Sequence, residues 1–412
     1  MRFSALLTQA IADVRQQSTR SILTLLGIAW GTTAVVLLLA FGVGLERQMV
    51  TNARGLGDGL VIVSGGRTTL SFRGLPERRP IRFVEADADL LAREIPEIEV
   101  VTPEYGAWGR YLSVEGQRTQ VYLTGVRADY GDLRNVFARS GGRFINDRDV
   151  DLNRRVIVLG NEVARLLFGE AEPVGREVML GRSPFTVVGV MAEKTQNSSY
   201  GARDQDRTFI PISTYGTMEG ARWVNSILFR PVDPELSGVA SERVREVLGR
   251  KYTVHPADRD ALSVWDTNEM MRMFGYLFLG FNIFLGVVGV FTLVVGGVGV
   301  ANIMFVVVQE RTREFGIRRS VGARGRDIMN QVLVEALLIV AAGAVLGFAV
   351  SWALARVAGL FPIQEFVGSP VISPAVAGLT VSLLALVALA AGLLPARRAA
   401  RLDPAEALRS GS

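Results

Sequence analysis

A chain of 412 residues with no cysteine and a single histidine, His255, excludes disulfides, thiol nucleophiles, iron–sulfur clusters and any multi-histidine metal site built by one chain. Its 49% apolar content and mean hydropathy of +0.29 exceed what a soluble protein of this size carries and point to a membrane protein. The formal charge of +5 is almost wholly arginine, because Lys194 and Lys251 are the only lysines.

In residues 1–20, Phe3, Leu6, Leu7, Ala10, Ile11 and Val14 fall on one helical face, which predicts a cytoplasmic interfacial helix on lipid or on a partner protein. Residues 21–45 contain the apolar run Ile22–Leu45, long enough to span a bilayer and without a small-residue cleavage pattern, so they are expected to remain as transmembrane helix 1. Residues 46–273 carry 31 basic and 32 acidic side chains and read as a large extracytoplasmic α+β domain. Strands are expected at Leu60–Val63, Glu99–Thr102, Tyr111–Val114, Gln120–Gly125, Val156–Leu159, Phe185–Val190 and Phe209–Ile212. Helices are expected at Val84–Glu94, Glu162–Phe168 and Pro234–Lys251. The polar stretches Gly65–Arg82 and Thr195–Arg207 read as exposed or mobile loops, suited to contact with substrate or an adaptor. Two enzyme-like features are weak: His255 shows no partner in the sequence, and Asn146–Asp151 echoes a calcium loop but has Leu152 at the turn glycine and Val158 at the bidentate glutamate, so it reads as a solvated turn.

Three further spans follow, at 274–308, 328–356 and 371–394. The apolar run Tyr276–Val308 has 33 residues, about 50 Å of helix against a hydrocarbon core of about 30 Å, so it should project beyond the bilayer. Between these spans lie a charged loop at 309–327 and an arginine-free loop at 357–370; residues 395–412 form a basic tail. The arginine asymmetry places both termini and the 309–327 loop in the cytoplasm and residues 46–273 outside, and it explains the basic charge without nucleic-acid binding. GxxxG pairs at Gly27/Gly31 and Gly343/Gly347, with Gly297 and Ala301 extending the pattern, predict close helix packing within the chain or between subunits. No Asp, Glu, Lys or His lies deep in a span, which argues against an ion-coupled pathway.

The segment Gln309–Arg324 reads as a short charged helix ended by Gly322, followed by a new helix with Asp327 near its N-terminus. Its order, Glu310-Arg311-Thr312-Arg313-Glu314-Phe315-Gly316-Ile317-Arg318-Arg319-Ser320-Val321-Gly322-Ala323-Arg324, resembles the ERTREIGIRxAxGA motif of MacB/FtsX-like ABC permeases, the macrolide-exporter and lipoprotein-release group. Ser21–Ile28 and Pro395–Leu408 are similar to that family's first-span and C-terminal signatures, and Arg155–Gly160, Leu167–Gly169, Pro173–Arg176 and Phe185–Val190 to its periplasmic core.

The resemblance implies a permease of the mechanotransmission type in the bacterial inner membrane. Its external domain would have a membrane-proximal part near 46–110 and 215–273 and an inserted β-rich part near 111–214. Two permease chains, identical or not, would pair, and Glu310, Arg311, Arg313, Glu314, Phe315, Gly316, Arg318, Arg319, Gly322, Ala323 and Arg324 would take up the movement of an ABC ATPase. Neither lysine stands in a Gly-Lys-Ser/Thr context, since Lys194 follows Glu193 and Lys251 follows Arg250. The ATPase is therefore expected as a separate polypeptide that binds ATP and magnesium, with no cofactor and no catalytic site in this chain. The leading expectation is efflux from the periplasm with a periplasmic adaptor and an outer-membrane channel. Lipoprotein release, signalling to a periplasmic hydrolase or sensor kinase, and a membrane-bound ectoenzyme are the alternatives.

Overall fold

The computed structural model describes residues 18–196, 199–360 and 368–402. The interfacial helix expected before Ser18, the last residues of the C-terminal signature from Asp403 onward, and positions 361–367 of the expected external loop lie outside the described residues. The chain divides into two compact units, residues 1–48 with 276–412, and residues 49–275.

The first unit is helical. It is built from α1 (Ser18–Arg54), α6 (Thr267–Glu310), α7 (Thr312–Ser320), α8 (Gly325–Ala358) and α9 (Pro374–Ala400). All but α7 are long and apolar enough to cross a membrane. At 44 residues, α6 extends about 66 Å, and α1, at 37 residues, about 55 Å. Ile28 and Val35 of α1, Leu293, Val300 and Met304 of α6, Val332 and Ala336 of α8, and Leu384 and Ala388 of α9 form one core. Outward stand Trp30, Phe291, Val345 and Leu386, an apolar surface that water alone would not support. The start of α9 is set locally: Pro374 opens the helix and the Ser373 hydroxyl accepts from the Val376 N–H at 3.3 Å.

The second unit contains nine strands: β1 (Val61–Gly65), β2 (Ile98–Val114), β3 (Gln117–Val126), β4 (Val156–Leu159), β5 (Glu177–Leu180), β6 (Ser183–Val190), β7 (Arg207–Pro211), β8 (Ser226–Pro231) and β9 (Leu262–Asp266). The first half of β2 joins an antiparallel sheet in the order β2-β8-β1-β9. Its second half closes a six-stranded barrel in the order β2-β3-β7-β4-β6-β5, with β5 returning to β2. One strand serves both because a bulge sets Trp108 and Gly109 opposite Tyr122, with Gly109 at φ +80°, and the bend turns the chain from sheet to barrel. The segments expected as separate strands at Glu99–Thr102 and Tyr111–Val114 are thus the two ends of β2, and the expected division between residues 110 and 111 falls inside it.

Helices α2 (Glu85–Glu94) and α5 (Ser237–Tyr252) lay Ala88, Leu91, Ala240, Val244 and Leu248 against Val61, Val63 and Phe229 of the sheet. Two shorter helices, α3 (Asn161–Phe168) and α4 (Ile212–Glu219), flank the barrel, where Val163, Leu167, Ile212 and Tyr215 join the same core.

Candidate functional site

Helix α7 presents two faces with different chemistry. On the inner side Phe315 is fully buried among Val308, Ile328, Val332, Ala396 and Ala399, and Gly316 is buried beside it. Arg311 lies 3.2 Å from both carboxylate oxygens of Glu335 on α8 and donates from Nε to Glu314 at 2.9 Å. Arg318 donates to Gln331 of α8 and back to Glu314, each at 2.6 Å. Arg319 donates to the carbonyls of Ala400 and Leu402, which completes the end of α9. These half-buried pairs tie α7 to α8 and α9, so α7 is held as part of the helical unit.

On the outer side Glu310, Arg313, Ile317, Ser320, Val321 and Arg324 are all exposed. Arg313, Ile317 and Ser320, spaced by four and three, share one face of α7, with Val321 at its C-cap, while Glu310 ends α6 and Arg324 lies beyond the Gly322 turn. Ile317 is 46% and Val321 83% exposed, an apolar pair framed by charges. The turn after α7 has Gly322 at φ +102°, and Ala323 closes it by donating from its N–H to the Arg318 carbonyl at 3.0 Å. Arg324 then donates its N–H to the Asp327 carboxylate at 2.9 Å at the start of α8.

The sequence-derived set therefore separates. Arg311, Glu314, Phe315, Gly316, Arg318 and Arg319 hold α7 in place, whereas Glu310, Arg313, Gly322 and Arg324 face outward, with Ala323 half-buried between them. Sequence reasoning missed Ile317 and Val321, although two apolar residues four apart in a run of charges mark them.

The glycine pattern resolves mostly within the chain. A Cβ on Gly343 would lie 2.7 Å from Ile28 Cγ2, and one on Gly347 would lie 2.5 Å from Thr32 Cβ and 2.7 Å from the Ala29 carbonyl. The Thr33 hydroxyl reaches the Gly347 carbonyl at 3.2 Å and the Ala29 carbonyl at 2.7 Å. A Cβ on Gly31 would lie 3.6 Å from Leu293, and one on Gly297 would meet Val387 at 2.5 Å. Ala301 packs partly buried on the core, and Gly27 faces open space.

Both expected loops of the external unit are tied down by polar contacts, although most of Gly65–Arg82 is exposed as expected. Gly65–Arg82 is fastened at Asp258, whose carboxylate accepts from the Thr69 N–H at 2.7 Å, the Thr69 hydroxyl at 2.8 Å and the Leu70 N–H at 3.1 Å. Thr195–Arg207 covers a buried ionic cluster. Asp204 lies 2.6 Å from Arg134 and 2.7 Å from Lys194, while Arg207 lies 2.9 Å from Glu104, which also accepts from the Tyr200 hydroxyl at 2.5 Å. Burial pushes the Asp204 carboxyl up, but Arg134, Lys194 and Arg207 outweigh it and hold the group below its ordinary value. Burial pulls the Lys194 ammonium down to about 8, with Asp204 opposing the shift and Arg134 adding to it. The calcium-loop echo is also accounted for: Asp149 is buried in a capping box with Asn146 and pairs with Arg143 at 2.5 Å, while Asn146, Asp147, Arg148 and Asp151 are exposed, as expected of a solvated turn.

Comparison with known proteins agrees with this architecture. The profile of the MacB-like periplasmic core domain matches residues 21–247, and that of the FtsX-like permease C-terminal region matches 286–404. The chain is 31% identical over 401 residues to the pyoverdine export ATP-binding/permease protein PvdT of Pseudomonas aeruginosa, covering 95% of this chain and 56% of that protein. It is 33% identical over 406 residues to the macrolide export ATP-binding/permease protein MacB of an Azoarcus species, covering 97% of this chain and 58% of that one. The crystal structure of the periplasmic region of MacB from Actinobacillus actinomycetemcomitans aligns over 55% of this chain and 97% of its own length, at 22% identity and a TM-score of 0.44. The chain thus spans less than two thirds of the length of these curated relatives. The first profile covers more than half of the chain and the second most of the helices that follow the external unit, and the chain belongs to the MacB/FtsX-like family of ABC permeases.

Proposed function

We propose that these 412 residues are the permease part of an ABC-type efflux system, in which an ATPase acts on α7 and the movement is used by the external unit. The observation that carries the proposal is the division of α7: its inner face is bonded to α8 and α9, and its outer side exposes Ile317 and, at its C-cap, Val321, beside the exposed charges of Arg313, of Glu310 at the end of α6 and of Arg324 after the turn. A helix so held passes on a push received at its free face. ATP and magnesium belong to the ATPase, and the permease carries no catalytic site. The lack of deep ionisable side chains in the spans supports action on substrate outside the inner membrane, and the relatives named for macrolide and pyoverdine export support efflux. The arginine asymmetry supports a cytoplasmic α7 and a periplasmic unit at 49–275. A paired second permease chain, a periplasmic adaptor and an outer-membrane channel complete the proposed assembly.

The test is reconstitution with the ATPase in lipid vesicles, comparing wild type with Ile317→Asp and Val321→Asp. Both positions are exposed, so the fold should keep its thermal midpoint while stimulation of ATP hydrolysis falls at least about tenfold, the loss given by roughly 1.4 kcal/mol of docking energy. Unchanged stimulation in both variants refutes the reading.

A further inference from the structure

A second exposed feature of the helical unit lies away from the outer face of α7. Arg326 stands near the start of α8, and Arg397, Arg398 and Arg401 stand at the end of α9, all exposed. The two helix ends meet: a Cβ on Gly325 would lie 2.9 Å from the Ala400 carbonyl. Among the described residues none of these four guanidinium groups is paired with a carboxylate; Asp403 and Glu406 of the tail lie outside the described residues. Among the described residues these four arginines therefore have no carboxylate partner, in contrast to α7, where Arg311 and Arg318 share Glu314 and Arg311 also meets Glu335.

The position of these arginines along the helices identifies the partner. On α9, at 100° per residue, Leu386, Leu394, Arg397 and Arg401 fall within one arc of about 80°. Leu386 and Leu394 are 65% and 63% exposed. On α8, Arg326 shares a face with Asn330 and Leu337, both exposed. A ligand that meets both parts of each stripe is apolar along the leucines and anionic beyond them, which is the chemistry of a phospholipid. A water-soluble protein surface would match the arginines and leave the leucines uncovered.

We infer that the corner formed by Arg326, Arg397, Arg398 and Arg401 is a binding site for anionic phospholipid, with the acyl chains on the leucine stripes and the phosphate among the guanidinium groups. The site rests on the four helices spanning a bilayer and is independent of coupling to an ATPase.

The experiment uses the full chain in detergent without ATPase, titrated with phosphatidylglycerol, cardiolipin or phosphatidylcholine, with bound lipid counted by native mass spectrometry. Wild type should retain the two anionic lipids over phosphatidylcholine, and the preference should fall about fivefold for each arginine removed in a series ending at R326Q/R397Q/R398Q/R401Q. Arg313→Gln, on the outer face of α7, should leave it intact, and excess glycerol phosphate should not displace the lipid. The inference is overturned if wild type shows no preference, if the quadruple variant keeps it, if Arg313→Gln removes it equally, or if glycerol phosphate competes. Because no nucleotide is used, failure here leaves the coupling proposal standing.

Discussion

Lys194 shows how a single residue can change meaning between sequence and structure. In the sequence it matters because it cannot belong to a phosphate-binding loop; in the structure its ammonium is held by Asp204 at 2.7 Å and by the carbonyls of Arg134 and Asn135 at 2.8 and 3.3 Å. Burial pulls its pKa to about 8 from an ordinary 10.5, so between those values the unfolded chain binds more protons than the folded one. Its contribution to stability therefore rises with pH across that window, by an amount of order 1 kcal/mol per unit. Tyr130 and Tyr200, also buried in the cluster, are pushed upward and lose their protons above it. Denaturant unfolding of wild type and Lys194→Met should diverge as pH is raised from 8 to 10, with wild type gaining relative to the variant; parallel curves would show that the amine is not strained by burial. None of this was legible in Thr195–Arg207, whose Gly, Ser, Asn and Asp content matches a solvated loop. Arg134 and Glu104 reach the loop from 70 and 103 residues away, and composition does not reveal such convergence.

For the secondary elements, legibility followed periodicity and length. The strands at Val156–Leu159 and Phe185–Val190 and the helix at Glu162–Phe168 appear close to their expected bounds. The strands β5, β8 and β9 were missed for physical reasons. β5, unlike the equally short but wholly apolar β4, opens on the exposed Glu177, and β8 is covered on both sheet faces, so it lacks the polar alternation that marks a half-exposed strand. The glycine pairs were legible as close-packing sites, but not their partner: Gly343 and Gly347 meet α1 of the same chain. That contact predicts a large effect from a small change. In Gly347→Val, the first added carbon already falls 2.5 Å from Thr32 Cβ and 2.7 Å from the Ala29 carbonyl, so α1 and α8 must separate. The expected cost is about 1–3 kcal/mol, with a lower thermal midpoint in detergent. Gly27→Val, at an open position, should leave that midpoint unchanged. Equal behaviour of the two variants would remove the glycines from the packing argument.

At the scale of the whole molecule the hydrophobic pattern revealed most of the organisation, because spans of this length and apolarity have few alternatives to a bilayer. It also marked the second span as too long for one, and α6 indeed runs unbroken through 44 residues, from the strand β9 that ends at Asp266 to Glu310 beside α7. A permease that works by mechanical transmission needs a member stiff along its length, and an unbroken helix is one. The proposal therefore predicts that breaking α6 outside its most apolar stretch uncouples movement from hydrolysis. Met273 is 54% exposed, so replacing its side chain costs little packing, whereas proline there removes a helical hydrogen bond and clashes with the preceding turn, about 3 kcal/mol against a straight helix. Since the chain has no cysteine, a pair introduced at Leu152 and Leu360, both exposed, provides the sole labels for a spin-label distance measurement. With the ATPase present, ATP should shift that distance in the labelled parent and in Met273→Ala. In Met273→Pro the shift should disappear while hydrolysis continues. A shift that survives the proline would mean that α6 carries no thrust, and the movement would then have to pass through α1 alone.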